Sequence, residues 1–345
     1  MASGRCRGAA RRGAGGIIES AESSHRQVAG MTGDAVQHWQ AAPLPWHSAT
    51  YDQFRRVLSD ERVPHALLLS GSAGAGIEHL AALVAGTLLC HSLQSSPCGL
   101  CDGCRMAQAG SHGDYRWLEP EAGKRALGID AVRSAVSFIQ QTPAFGERKV
   151  MVIAPAHAMT IAAANALLKT LEEPPGNGIL VLVSSRPGDL PATVRSRCQR
   201  VQTPAPSADQ ALVWLQGQCD NMDSQTVSAA LDAADGAVMT AREWLQNGEL
   251  AAMTELRRQL SGLLQGASAP VSTVAALKDV ELELILSTLL TLIEQALREG
   301  DSDRLKSQRD LFELHDQVRG WLGAIRRGVN LARDTLLIEI ARRCQ

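Results

Sequence analysis

Short apolar runs in the first two thirds of this chain alternate with stretches in which apolar residues recur at helical spacing. Ala66-Leu67-Leu68-Leu69-Ser70, Val150-Met151-Val152-Ile153 and Ile179-Leu180-Val181-Leu182-Val183 are runs of the first kind. Short segments without a polar face, rich in β-branched residues when taken together, suit strands covered on both sides, as in a parallel sheet. Between them Ile129, Val132, Val136 and Ile139 share one face of a helical period. Strands alternating with helices predict an α/β module. After Val201 the strand signal stops. Leu256, Leu260, Leu263 and Leu264, then Leu282, Leu286, Leu289, Leu290, Ile293 and Leu297, then Val318, Leu322, Ile325 and Val329 predict amphipathic helices. The helical pattern breaks at Gln265-Gly266-Ala267-Ser268-Ala269-Pro270.

The first apolar run leads into Gly71-Ser72-Ala73-Gly74-Ala75-Gly76-Ile77-Glu78. A working phosphate loop ends in Gly-Lys-Ser/Thr, the Lys reaching the β and γ oxygens and the hydroxyl holding Mg²⁺. Here Ile77 and Glu78 occupy those two places. An aliphatic side chain neutralises no phosphate, and a carboxylate repels one. The second run is followed by Ala154-Pro155-Ala156-His157, where a P-loop ATPase carries the acids that hold the metal and orient water. Ala and Pro do neither. The glycines from Gly71 to Gly76 on their own fit a degenerate phosphate loop and a plain strand-to-helix turn equally well.

Four of the eight cysteines form a C-x7-C-x2-C-x2-C cluster at Cys90, Cys98, Cys101 and Cys104. Tight C-x2-C turns with a further thiolate returning from a neighbouring helix reach tetrahedral geometry around zinc, and Pro97, Gly99, Asp102 and Gly103 supply turn residues. A disulfide framework suits a secreted chain better, an iron–sulfur site lacks its usual fourth Cys-Pro, and reactive thiols are seldom packed four together. Four protein thiolates leave no open coordination position, so the expected zinc site is structural. Cys6, Cys219 and Cys344 read as incidental.

With 345 residues, 45% of them hydrophobic, the chain can build two or three domains. A net charge of −2 excludes a global basic field, so any contact with nucleic acid must be local. No run approaches the ~18 apolar residues of a membrane span, which predicts a soluble, cytoplasmic protein. Residues 1–38 carry Arg5, Arg7, Arg11 and Arg12 among Gly and Ala without the apolar core of a secretory signal. They are expected to be a disordered or over-extended N-terminus, with Met31 as an alternative start.

The segment from Pro45 to Val201 resembles bacterial clamp-loader subunits of the AAA+ class. Val63-Pro64-His65-Ala66-Leu67-Leu68-Leu69-Ser70-Gly71 looks like their first strand and loop. Asn165-Ala166-Leu167-Leu168-Lys169-Thr170-Leu171-Glu172-Glu173-Pro174-Pro175 looks like their internal signature, and Arg195-Ser196-Arg197-Cys198 matches the Ser-Arg-Cys motif that ends the module. The matches follow family order over about half the chain. The resemblance implies an AAA+-like α/β domain over residues 39–203 with a zinc-binding insertion at 90–104. A small helical lid over 204–248 and an all-α collar domain over 249–345 would follow. Within this family a degenerate loop beside an intact Ser-Arg-Cys marks a non-catalytic subunit of the DNA polymerase III clamp loader. The implied partners are the gamma or tau ATPase subunits and delta, with the sliding clamp and primed DNA reached through the complex.

Arg197 then becomes the candidate catalytic residue, supplied in trans to a neighbour's nucleotide. A permanently charged guanidinium can fork onto phosphate oxygens; the competing reading is a structural salt bridge at a strand end. In ATPase relatives a sensor Arg follows a Gly by three residues at the start of a lid helix. The matching place after Gly236 is Met239, and Arg242, one turn on, reads as a solvated Arg. Two rivals remain: an active AAA+ clamp-loader ATPase with an unusual loop, and a stand-alone zinc-dependent nucleic-acid-binding protein, which would give no account of the 165–175 signature or Arg197.

Overall fold

The computed structural model describes residues 42–343 except 61, 93–96, 122, 220–221, 268–269, 300–307 and 327. The expectations for residues 1–38, Met31, Cys6 and Cys344 lie outside the described residues. After a 3₁₀ turn at Pro45–His47, the first half runs α1 (Ser48–Ser59), β1 (Ala66–Ser70), α2 (Ile77–Leu89), α3 (Asp102–Gln108), β2 (Tyr115–Leu118), α4 (Ile129–Ile139), β3 (Lys149–Ile153), α5 (Ile161–Glu172), β4 (Gly178–Ser184), α6 (Ala192–Arg195) and β5 (Gln199–Gln202). The strands form a five-stranded sheet in the order β2-β3-β4-β1-β5, every pair parallel.

The unbroken apolar runs have a direct cause in this layering. Leu67, Leu69, Val150, Val152, Ile179, Val181 and Val183 face one layer with Tyr51, Leu58 and the apolar side of α2. Ala66, Leu68, Met151, Ile153, Leu180 and Leu182 face the other, against Val132, Ala135, Leu167, Leu171 and Val194. Alternate residues thus go to opposite faces and both faces are dry. In α2 only Glu78 escapes burial, and Thr87, at 2.7 Å from the Tyr51 hydroxyl, ties the helix to α1.

Beyond the sheet the described residues are helical: α7 (Ala208–Gln216), α8 (Ser224–Ala233), α9 (Val238–Asn247), α10 (Leu250–Leu264), α11 (Pro270–Ala276), α12 (Leu282–Glu299), α13 (Gln308–Arg326) and α14 (Arg333–Arg343). Helices α7, α8 and α9 share a core with Leu44 and Trp46. From Leu256 onward the apolar stripes of α10 and α12 to α14 form a separate cluster. Val329 departs from the expected pattern: α13 stops at Arg326, Gly328 takes a left-handed φ of +84°, and Val329 is 49% exposed. Strands β2 and β5 were not signalled by the apolar pattern.

Candidate functional site

The glycine-rich loop lies where β1 passes into α2. Gly74 and Gly76 adopt φ of +69° and +80°, a region open to glycine at little cost. The loop is closed over by its own chain. A Cβ on Gly74 would stand 2.6 Å from the Ala237 Cβ, and one on Gly76 would stand 2.4 Å from the Leu44 Cδ1. The Met239 N–H donates to Gly74 O at 2.9 Å, and the Trp46 indole N–H donates to Ala75 O at 2.8 Å. The Met239 backbone therefore fastens α9 onto the loop.

The two substituted positions fit this closure. Ile77 is 1% exposed and packs into the sheet core. Glu78 puts a carboxylate in the first turn of α2, where the helix dipole would otherwise favour a phosphate. Its side chain reaches the surface, yet desolvation lifts its pKa above the ordinary value, against the pull of its own backbone N–H.

At the exits of β3 and β4 two polar side chains meet in a contact that the sequence did not signal. Ala154 and Ala156 are buried, and His157 Nδ1 lies 3.0 Å from Ser184 Oγ, which also accepts the Arg186 N–H at 3.1 Å. Burial, with a smaller push from Arg186, lowers the His157 pKa to about 4. The ring is neutral at physiological pH and joins two strand ends; only its place after β3 could have drawn attention to it.

The four clustered cysteines converge. Cys90 ends α2, Cys101 caps α3 and accepts the Cys104 N–H, and all four sulfurs lie within 4.8 Å of one another. Cys98 Sγ to Cys104 Sγ is 3.9 Å and Cys101 Sγ to Cys90 Sγ is 4.0 Å. Tetrahedral thiolates at ~2.3 Å from zinc stand ~3.8 Å apart, so the donor set fits such an ion. N–H groups of Ser92, Cys98, Cys101 and Cys104 point at sulfurs at 3.3–3.4 Å. Backbone N–H donors, first that of Leu100, pull the Cys98 thiol down to about 6, whereas burial raises Cys90 and Cys104. Asp102 and Gly103 sit in the first turn of α3 instead of a loop. A Cβ on Gly103 would be 2.5 Å from Leu89 O, so glycine lets α3 close against the end of α2. Cys198 and Cys219 are buried apart from this cluster.

Arg197 lies just before β5, at the sheet edge where the parallel strands begin. Gln199 pairs with Leu67, and four residue steps lead from Leu67 to Gly71, ~13 Å along the sheet. The residue therefore stands at the opposite end of the sheet from the chain's own glycine-rich loop. Its Nη1 donates to Thr193 O at 2.9 Å, and its Nη2 pairs with Glu172 Oε1 at 2.6 Å, with 35% of the side chain exposed. Arg242 is less solvated than its helix position suggests, lying 5.8 Å from the Trp214 ring centroid.

Residues 46–207 match a family model described as DNA polymerase III, delta subunit. Over 255 residues the chain is 34% identical to the DNA polymerase III subunit delta' of Escherichia coli, covering 74% of this chain and 76% of that one. The chain belongs to the DNA polymerase III delta-prime family. It is also 39% identical over 199 residues to the delta-prime subunit of Pseudomonas aeruginosa, covering 57% of this chain and 60% of that one. The match thus spans less than two thirds of the Pseudomonas relative. With the tau subunit of Salmonella typhimurium it shares 32% identity over 252 residues, 70% of this chain and 38% of that one. Among solved structures, a gamma subunit-related protein from Thermotoga maritima aligns with a TM-score of 0.43 at 16% identity, over 85% of this chain and 99% of that one. The part matched by the family model holds the sheet, the cysteine cluster and Arg197; Met239 and the rest of α9 lie beyond it. No helix among the described residues is long and apolar enough to cross a membrane.

Proposed function

We propose that this chain is the non-catalytic delta-prime subunit of a cytoplasmic DNA polymerase III clamp loader. It supports ATP-dependent loading of the sliding clamp onto primed DNA without turning over ATP itself. The observation that carries this reading is the closed phosphate loop, with Ile77 in the core and Leu44, Trp46, Ala237 and Met239 packed over the glycines. Ile77 and Glu78 stand in the places of the Lys and the hydroxyl, and Ala154 and Pro155 in those of the metal-holding acids, so this loop offers the transition-state charge of phosphoryl transfer no stabilising group. The 39–203 unit is the AAA+-like module, 204–248 the lid and 249–345 the collar that assembles with gamma or tau and with delta. Cys90, Cys98, Cys101 and Cys104 hold one structural zinc. Arg197, which cannot reach its own loop, is presented to the nucleotide of a neighbouring ATPase subunit, where an arginine supplied in trans is worth ~10³–10⁵ in rate.

The test is a reconstituted loader carrying either the natural chain or Arg197→Ala, matched for assembly. DNA- and clamp-stimulated ATP turnover should fall partially, because only one site loses its donor, while the purified chain alone hydrolyses no ATP. Equal turnover in the two complexes overturns the role of Arg197, and hydrolysis by the homogeneous chain overturns the non-catalytic assignment.

A further inference from the structure

Arg197 is not loose at the surface. Its guanidinium is held at two points on two elements, by Thr193 O of α6 at 2.9 Å and by Glu172 Oε1 at the end of α5 at 2.6 Å. Each contact takes one N–H, so three of the five guanidinium N–H groups stay free for a phosphate. We infer that Glu172 is a positioning residue for Arg197, fixing the plane of the guanidinium before a neighbouring nucleotide meets it; this rests on the proposed trans role of Arg197.

The physical case is one of geometry and order. An arginine tethered only to a carbonyl can swing about that single contact. The second tether, on a different element, fixes the direction of the fork, and ordering of the side chain is then complete before the transition state forms. Glu172 and Arg197 are 51% and 35% exposed in their side chains, so water screens the carboxylate's repulsion of an incoming phosphate while the short contact preserves orientation. Such a residue acts through Arg197 and touches no nucleotide. Its loss should lower kcat and leave KM for ATP alone, because the donor matters mainly in the transition state.

Reconstituted loaders carrying Glu172→Ala, Glu172→Asp, Glu172→Gln, Arg197→Ala and the Glu172→Ala/Arg197→Ala pair would be compared for assembly by gel filtration and for stimulated ATP turnover. Glu172→Ala should lower stimulated kcat at unchanged KM by no more than Arg197→Ala does, since only one site depends on the pair. Glu172→Asp, one methylene short, should behave likewise, and Glu172→Gln, which keeps an acceptor oxygen at full length, should restore most of the rate. The double variant should be no slower than Arg197→Ala alone. Unchanged or raised turnover in both Glu172→Ala and Glu172→Asp overturns the inference, as does an equal additional loss from Glu172→Ala on the Arg197→Ala background. A silent Arg197→Ala overturns the trans reading beneath it, and the inference falls with that reading. Reduced turnover with Arg197→Ala beside unchanged turnover with Glu172→Ala overturns the positioning role alone.

Discussion

Asp114 shows how one buried side chain organises the sheet end that faces away from the phosphate loop. Its carboxylate, 0% exposed, accepts Lys149 Nζ at 2.8 Å and the Ala144 N–H at 2.7 Å on Oδ1, and the N–H groups of Phe145 and Gly146 on Oδ2. Burial pushes its pKa up, but the Lys149 and backbone hydrogen bonds pull harder and the net shift is downward. Asp114→Ala would strand the Lys149 charge in the interior with three unpaired N–H groups, at a cost of about 3–5 kcal/mol. Asp114→Asn should cost less, since an amide oxygen still accepts. Because the folded pKa is depressed, the charge of Asp114 contributes fully above its unfolded value of ~3.9 and is lost as pH falls below it. Urea midpoints of the natural chain and Asp114→Asn should therefore differ at neutral pH and converge as the pH drops below about 4. A constant gap across that window would contradict the assignment. The same logic makes Ile77 instructive: at 1% exposure it has become a core residue, and a returned lysine would be a buried cation before it was a phosphate ligand.

At the scale of elements, the clustered cysteines at the end of α2 and around α3 join the sheet core through one strongly buried helix. Metal analysis of the natural chain purified without added zinc should give about one zinc per chain. Chelation, or Cys104→Ser at the buried ligand, should strip hydrogen-exchange protection from the stretch around 98–110 and leave β1, β3 and β4 protected. The stability lost should fall well short of the ~10–16 kcal/mol seen when zinc alone organises a small peptide, because α2 keeps its packing on the sheet. Iron in the protein, or no metal with all four thiols freely alkylated, would reject the zinc assignment. Legibility from sequence followed the strength of the physical signal. β1, β3 and β4 are central, covered on both faces and continuously apolar, so they stood out. β2, with Arg116 between Tyr115 and Trp117, and β5, with Gln199, Arg200 and Gln202 around Val201, are edge strands whose exposed positions dilute the apolar run. The cysteine cluster was legible because ligand spacing is local. The Glu172–Arg197 pair and the packing of Leu44, Trp46 and Met239 on the loop were not, since each joins residues far apart in sequence that only the fold brings together.

On the scale of the whole molecule, ion pairs among the described residues link the α/β module to the C-terminal helices, one of them built on a shared carboxylate. Glu283, at the start of α12 and 25% exposed in its side chain, accepts Arg326 Nε of α13 at 2.9 Å and Arg125 Nη1 of the β2–α4 connection at 3.0 Å; Arg125 also pairs with Glu281. Arg186 lies close enough to Arg326 and Glu283 for both charges to act on it, although burial is the larger influence in lowering its pKa. In the natural chain the bridge is attractive, so salt should weaken the contact between the two parts. Glu283→Ala removes the carboxylate shared by Arg125 and Arg326 while Arg125 keeps Glu281, so the attraction weakens and Arg186 and Arg326 are left less compensated, a repulsion that salt should relieve. The expected cost is about 1–2 kcal/mol at low ionic strength, confined to the contact because the apolar clusters on either side are separate. Small-angle scattering across a salt series reads this directly: the natural chain should hold or expand slightly with added salt. Glu283→Ala should start expanded and contract toward it. Parallel salt curves for the two proteins would mean that Glu283 merely decorates the surface, and that other contacts, Arg125–Glu281 among them, hold the α/β module against the C-terminal helices.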